Sequence, residues 1–121
     1  MKVNQFIRHY PMKEGSGISV NLSVFLYEED GMHYAYCAAL DILGYGKTSD
    51  DAKQSFEIIL EETLKDAISE GKLDALLKSY GWEQNQPPKT SSLISRSSEL
   101  ADIIDNKAYR TIHKDITLPC A

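Results

Sequence analysis

The sequence has little of what marks secreted, disulfide-rich or membrane proteins. Cysteine occurs twice, at Cys37 and Cys120, without a CxxC pair, so the chain shows neither a disulfide framework nor a zinc-binding spacing. No apolar run approaches the length of a membrane span, and the N-terminal MKVNQFIRHY lacks the apolar core of a secretory signal. These absences predict a cytoplasmic protein that does not associate with membranes.

Positive charge is also scarce. The 121 residues include 13 Lys+Arg against 18 Asp+Glu, which gives a formal net charge of -5. A general nucleic-acid binder needs clustered positive charge to displace counterions from phosphates. The composition therefore disfavours that function, and a basic protein partner suits the field of the molecule better.

The first half of the chain has the pattern of a β-hairpin. Aliphatic residues alternate with polar and aromatic ones over residues 18–27, which predicts a strand with one aliphatic face. Asp30-Gly31 is a strong hairpin signal because both residues tolerate positive φ. A return strand over 32–40 and a short third strand over 42–45 are predicted to follow.

A long amphipathic helix is predicted over residues 49–70, after a Thr48 or Ser49 cap. A short helix over 73–80 follows it. The remainder predicts one further short helix and a strand with polar residues on both faces, which fits a sheet edge or strand addition to a partner. The expected fold is α+β, with the three-stranded antiparallel sheet packed by these helices. The C-terminal elements are a linker over 83–92, a helix over 97–105 and an edge strand over 108–118.

The predicted domain organisation is a single α+β domain over residues 1–82. Residues 93–121, beyond the linker, are expected to be an extension rather than an independent domain. A further short strand is expected over 3–10, before Pro11. Cys37 lies inside an apolar pattern and is expected to be a small buried side chain.

The sequence contains no strong catalytic motif, and we predict a protein that is not an enzyme and holds no cofactor or metal. The glycines at 44–46 lack the context of a phosphate-binding loop, and the three histidines (His9, His33 and His113) lack partners at metal-ligand spacing. Three carboxylates permit two interpretations, a magnesium cluster for phosphodiester chemistry or a turn residue with two helix-capping residues. The second is favoured. These residues are Asp41, Asp50 and Asp51.

Aromatic residues give the candidate contact surface. Phe25 and Tyr27 alternate with the aliphatic face of the first strand, and Tyr34 and Tyr36 share one face of the second. Two interpretations are open: an exposed aromatic patch that binds a partner, or a core that the C-terminal segment covers. An RNA-stacking sheet fits less well, because the neighbouring residues are acidic. The predicted partner-binding residues are Phe25, Tyr27, Tyr34, Tyr36, Tyr109, Thr111 and His113.

Residues 23–64, SVFLYEEDGMHYAYCAALDILGYGKTSDDAKQSFEIILEETL, resemble the HicB-like antitoxin family. An acidic turn with Asp30-Gly31 precedes an aromatic strand, and the loop Ala39-Leu40-Asp41 leads to Gly44 and Gly46. Thr48 and an acidic-capped helix with Ala52 at its start complete the ordered pattern. The resemblance rests on this order and spacing.

The resemblance implies a degraded RNase H-like fold without nuclease chemistry. It also implies a partner, a small basic HicA-like toxin that cleaves RNA, and it implies dimers or higher oligomers. Residues 83–121 do not have the pattern of a helix-turn-helix, so DNA binding is left undecided. A residual nuclease and an orphan homo-oligomeric scaffold without a toxin are the alternative functions.

Overall fold

The computed structural model describes residues 17–83 and 86–119. Within these ranges the chain has the predicted α+β architecture. The short strand expected over 3–10 and the residue Cys120 lie outside the described residues. In chain order the elements are β1 (Gly17–Glu29), β2 (Met32–Cys37), β3 (Ile42–Gly46), α1 (Ser49–Ser69), α2 (Leu73–Ser79), α3 (Thr90–Arg96), α4 (Ser98–Asn106) and β4 (Tyr109–Pro119).

The strands form one antiparallel sheet in the order β3-β2-β1-β4. β4 pairs with β1 in one unbroken register, from Gly17 opposite Pro119 to Tyr27 opposite Tyr109. The C-terminal strand therefore pairs within its own chain, which the sequence left undecided. This pairing adds a fourth strand to the three of the predicted sheet and joins the two ends of the described chain.

A two-residue turn connects β1 to β2. Asp30 has a φ of 53° and Gly31 a φ of 80°, and two successive positive φ angles are the geometry of a type I′ hairpin turn. The turn fixes the register in which Tyr27 lies opposite Tyr34 and Phe25 opposite Tyr36. The predicted hairpin is confirmed, although β2 ends at Cys37 and residues 38–41 form a turn instead of continuing the strand.

α1 begins where the sequence predicts it. The Thr48 side chain caps the helix by accepting a hydrogen bond of 3.1 Å from the Asp51 backbone N–H. Asp50 and Asp51 occupy the first turn, where negative charge is favourable. One stripe of the helix is buried, and its three large members alone contribute roughly 5–9 kcal/mol before entropy costs. This stripe contains Ala52, Phe56, Leu60, Leu64 and Ala67.

α1 packs on the aliphatic face of the sheet, against β3 and β2. The two elements are in close contact at Gly44, where an added Cβ would lie 2.6 Å from the Ala52 carbonyl oxygen and would also overlap the Phe56 backbone. Gly44 lies opposite Ala35, which in turn lies opposite Leu26. The predicted arrangement, a helix over the aliphatic side of the hairpin, is confirmed.

The segment after α2 is packed against the rest of the chain. Trp82 is buried and its indole N–H donates a hydrogen bond of 2.7 Å to the Ala39 carbonyl. Pro87 and Pro88, inside the predicted linker, line a small cavity together with Phe25 of β1. α3 was not predicted, because its sequence is rich in serine and it buries the single side chain of Leu93.

Candidate functional site

All seven predicted contact residues lie on the same face of the sheet. The register places Phe25 between Tyr36 and Thr111, places Tyr27 between Tyr34 and Tyr109, and sets His113 opposite Ser23. Since side chains alternate between faces along a strand, these residues share the side opposite α1. We call this side the aromatic face.

One line across the aromatic face consists of tyrosines. Tyr45 pairs with Tyr34, Tyr34 with Tyr27, and Tyr27 with Tyr109, so that each strand contributes one ring. The Tyr27 and Tyr34 rings are stacked with centroids 5.1 Å apart. We call these residues, Tyr45, Tyr34, Tyr27 and Tyr109, the tyrosine row.

α4 lies over the middle of the aromatic face. The Tyr36 hydroxyl is 3.0 Å from Ser97 Oγ at the start of the helix, and Lys107 after its end lies 5.6 Å from the centroid of the Tyr27 ring. Leu100 and Ile103 of α4 are fully buried. Phe25, Tyr27 and Tyr36 are consequently buried as well. The structure thus has the covered arrangement for these three rings, and an exposed patch of four aromatics on β1 and β2 is wrong.

The two margins of the aromatic face stay open on either side of α4. On the β3 side, Tyr45 is 59% exposed, Leu43 is 37% exposed and Tyr34 is half-buried. On the β4 side, Tyr109, Thr111 and His113 are exposed, and the Tyr109 ring packs 5.5 Å from that of Phe25.

Leu43 and Tyr45 were absent from the predicted contact residues. The alternation of the ILGYG segment was the available signal, because it places both side chains on the face opposite Gly44.

Acidic side chains lie close to the middle of the tyrosine row, where Glu99 and Glu29 act on Tyr27. β1 ends at Glu29 and the turn begins with Asp30, and the exposed residues of α4 include Glu99, Asp102 and Asp105. Lys107 lies among them and forms ion pairs of 2.9 Å with Glu29 and 3.3 Å with Asp102.

These charges act on the groups beside them. Burial, followed by the negative charge of Glu99, raises the pKa of the Tyr27 hydroxyl. The hydrogen bond to Glu29 raises the pKa of Lys107, and hydrogen bonds from Asn106 and Lys107 lower that of Asp102. The electrostatic field around Tyr27 is therefore negative, and it favours a cation or a basic side chain there.

A polar cleft of about 380 Å³ opens where the end of β2 meets α2 and the start of α4. The buried ring of Tyr36 presents its hydroxyl there, donating to Asp41 Oδ1 at 2.9 Å. Burial raises the pKa of that hydroxyl far above its ordinary value, so the phenol stays protonated at physiological pH. Asp41 has a φ of 52°, a left-handed conformation that Asp tolerates better than most residues.

The three carboxylates considered for magnesium do not form a cluster. Asp41 precedes β3 and Asp50 follows it, and a strand of five residues separates its ends by about 17 Å. Asp51 belongs to the capped first turn of α1. In the part of the chain that the structure describes, no three His, Cys, Asp or Glu residues converge as metal ligands.

The histidines fall on different surfaces. His33 pairs with Glu28 at 3.3 Å on the side of α1, whereas His113 is exposed on the aromatic face. His9 lies outside the described residues. Cys37 is fully buried, as predicted, and burial raises the pKa of its thiol to about 11.

No family model matches this chain, and neither the curated proteins nor the solved structures gave a match. The described helices include none that is long and apolar enough to cross a membrane. The fold and the open margins thus define an α+β protein with an aromatic, acid-rimmed surface.

Proposed function

We propose that this protein is a HicB-like, antitoxin-type protein that binds and neutralises a small basic RNA-cleaving protein. The observation that carries the proposal is the tyrosine row, whose two end members, Tyr45 and Tyr109, are exposed. The inner member Tyr27 lies in the field of Glu99 and Glu29. Tyrosine supplies large contact area with few rotatable bonds, and it is enriched where binding energy is concentrated. The acidic rim suits arginines and lysines of a basic partner.

The architecture supports the resemblance on which this proposal depends. The acidic turn, the aromatic strand, the Gly44 contact and the capped helix α1 are consecutive parts of one packed unit. The glycine at position 44 is explained by the packing, since a side chain there would force α1 away from the sheet. The fold thus uses each sequence feature that the resemblance cites.

The margin on the β3 side is the proposed contact. Tyr45 and Leu43 project beside the half-buried Tyr34, and these residues form a continuous apolar strip along the edge of the sheet. The buried residues Phe25, Tyr27 and Tyr36 would then support this strip from below instead of touching the partner. Tyr109, Thr111 and His113 offer a second contact on the far side of α4.

The test is co-purification with a small basic protein encoded beside this gene. Tyr45→Ser is expected to weaken the complex by about tenfold or more, as loss of an exposed aromatic anchor does. Ile58→Ser is the matched control, because Ile58 is also 59% exposed but lies on α1 at the other side of the sheet. Rescue of growth from the neighbouring protein's toxicity is expected to fall with the first variant and not with the second.

The proposal fails if no neighbouring basic protein binds, or if both variants bind it as the unaltered chain does. Loss of binding in the Ile58 variant alone would move the contact to α1. Circular dichroism of each variant shows whether the domain has stayed folded.

A second candidate is a homo-oligomeric scaffold or regulator, which the outer edge of β4 favours. Among the described strands nothing pairs with that edge, whereas at the β3 edge the Tyr45 N–H donates to Ser55 Oγ at 3.2 Å. Long unprotected edges add further strands readily. Light scattering measures the mass of the particle in solution. The substitutions Thr111→Lys and His113→Lys are expected to reduce self-association through this edge.

A further inference from the structure

The polar cleft beside Tyr36 has the size and the lining of a small-molecule site. Its volume of about 380 Å³ falls within the usual range for ligand pockets. Separate parts of the chain line it: the end of β2 and its turn, the end of α2, the end of α3 and the start of α4. The residues that matter are Tyr36, Asp41, Tyr80, Arg96, Ser97 and Glu99.

Charges of opposite sign line the cleft without neutralising one another. Arg96 contributes a guanidinium, and Asp41 and Glu99 contribute carboxylates. Over residues 17–83 and 86–119, Arg96 forms no ion pair with either acid or with any other. A molecule that carries both charges would complement a cation and an anion that line the same cleft.

Each charged group has a contact with another part of the chain. Arg96 lies against the backbone of Gly81, where an added Cβ would overlap the guanidinium. Asp41 is fixed by its left-handed turn conformation and by the hydrogen bond from the buried Tyr36 hydroxyl. Such positioning lowers the ordering cost that a ligand pays on binding.

We propose that this cleft binds a free α-amino acid. The carboxylate of the ligand would pair with the Arg96 guanidinium, which has a fork of donors suited to a carboxylate. The ammonium group would lie against Asp41 and Glu99. The Ser97 and Tyr36 hydroxyls supply hydrogen-bonding atoms between these two ends. A simple anion would meet two carboxylates in the cleft, and a simple cation would meet the guanidinium.

The cleft lies at the end of β3 opposite Tyr45, and it shares Glu99 with the acidic residues near the tyrosine row. A ligand there would contact the β2 turn, α2 and the start of α4 together, and it would therefore stabilise the folded state. The expected consequence is a rise in Tm that saturates with ligand concentration.

The experiment measures thermal unfolding of the full chain with each common L-amino acid at millimolar concentration, followed by calorimetric titration of those that raise Tm. Saturable binding of at least one amino acid is expected. Propionate and propylamine, which each carry one of the two charges, are expected to bind at least about tenfold more weakly.

Asp41→Asn and Arg96→Gln are each expected to weaken binding by about tenfold or more, since each removes a charge-assisted hydrogen bond. Asparagine keeps the tolerance for positive φ and an oxygen for Tyr36. Glu99→Gln, at an exposed position, provides a variant that does not touch the turn. Lys89→Gln and Asp105→Asn each remove one charge outside the cleft, and both variants are expected to bind the amino acid as the unaltered chain does.

The proposal is overturned if no amino acid raises Tm beyond a sodium chloride control of equal ionic strength. It is equally overturned if binding occurs but survives unchanged in the folded Asp41, Arg96 and Glu99 variants. Neither result bears on the partner proposal, which rests on Tyr45 and the opposite end of β3.

Discussion

The hydroxyl of Tyr36 and Oγ of Ser97 lie 3.0 Å apart, although 61 positions separate them along the chain. Tyr36 belongs to the central hairpin. Ser97 is the N-cap of α4, the helix over the aromatic face, and its Oγ accepts a hydrogen bond of 3.1 Å from the Leu100 N–H. This one contact therefore links the sheet to the segment that hides its aromatic residues. Because the Tyr36 hydroxyl also donates to Asp41, it takes part in two hydrogen bonds.

Tyr36→Phe is expected to lower the free energy of unfolding by about 1 kcal/mol at neutral pH, through loss of these hydrogen bonds. Burial raises the pKa of Tyr36 in the folded protein. The associated stability is present below the ordinary tyrosine pKa of about 10, and is lost as the pH rises above it, because the unfolded chain ionises first. Urea unfolding between neutral and alkaline pH is expected to show a smaller alkaline loss in the variant. Equal losses in both proteins would contradict the burial of this hydroxyl.

Gly44→Ala is expected to destabilise the fold by about 1–3 kcal/mol, because the added methyl group meets the backbone of α1. Gly31→Ala is the control. Its Cβ has nothing within 4 Å, so its cost comes from the positive φ of 80° alone. Each glycine variant is then combined with Phe56→Ala, and the free energies of unfolding in urea are compared with those of the single variants. Non-additive effects are expected for Gly44, which contacts α1, and additive effects for Gly31.

Trp82→Phe is expected to cost about 1–3 kcal/mol, since it removes the donor to the buried Ala39 carbonyl while keeping an aromatic ring. Trp82 is the sole tryptophan of the chain. In the unaltered protein its fluorescence is expected to shift to longer wavelength on unfolding. Emission at the fully solvated wavelength before any urea is added would contradict its burial.

Cys37 is expected to resist thiol reagents in the folded protein. The side chain is fully buried and burial raises its pKa to about 11, so both access and the thiolate fraction are low near pH 8. A Cys120→Ser variant leaves Cys37 as the remaining thiol. Labelling by a chromogenic disulfide reagent is expected to be slow in buffer and fast in denaturant, and fast labelling in buffer would show that the β2 strand opens.

Local patterns in the sequence were sufficient for the central unit. Period-two alternation gave β1, Asp30-Gly31 gave the turn, and the spacing of Phe56, Leu60 and Leu64 gave α1. Each of these signals acts between residues close in sequence. Their agreement explains why the predicted and observed bounds differ by one or two residues there, with the exception of the end of β2.

The sequence did not determine where α4 packs. The segment 97–105 with its serine cap predicted a short helix, yet whether Leu100 and Ile103 cover the aromatic face depends on contacts with distant residues. α3 was missed for a related reason, since a short serine-rich helix is stable only because Leu93 is buried against other elements.

The candidate contact surface was predicted in part. The aromatic face is where the sequence placed it, and Tyr109, Thr111 and His113 are exposed on it as expected. Phe25, Tyr27 and Tyr36 became core because the C-terminal part of the chain packs on them: α4 and its flanking residues contact Tyr36 and Tyr27, and Pro87 and Pro88 lie beside Phe25. Leu43 and Tyr45 took their place at the margin, where none of the described helices covers this face of the short strand β3.

The sequence by itself determined the elements other than α3 and the two faces of each strand, because helix and strand periods follow from backbone geometry and from which side chains avoid water. Tertiary structure alone decided that β4 joins β1, that four tyrosines form one row, and that Arg96, Asp41 and Glu99 line one cleft. These relationships join residues tens of positions apart. They arise from packing and register across the whole chain, which no local pattern contains.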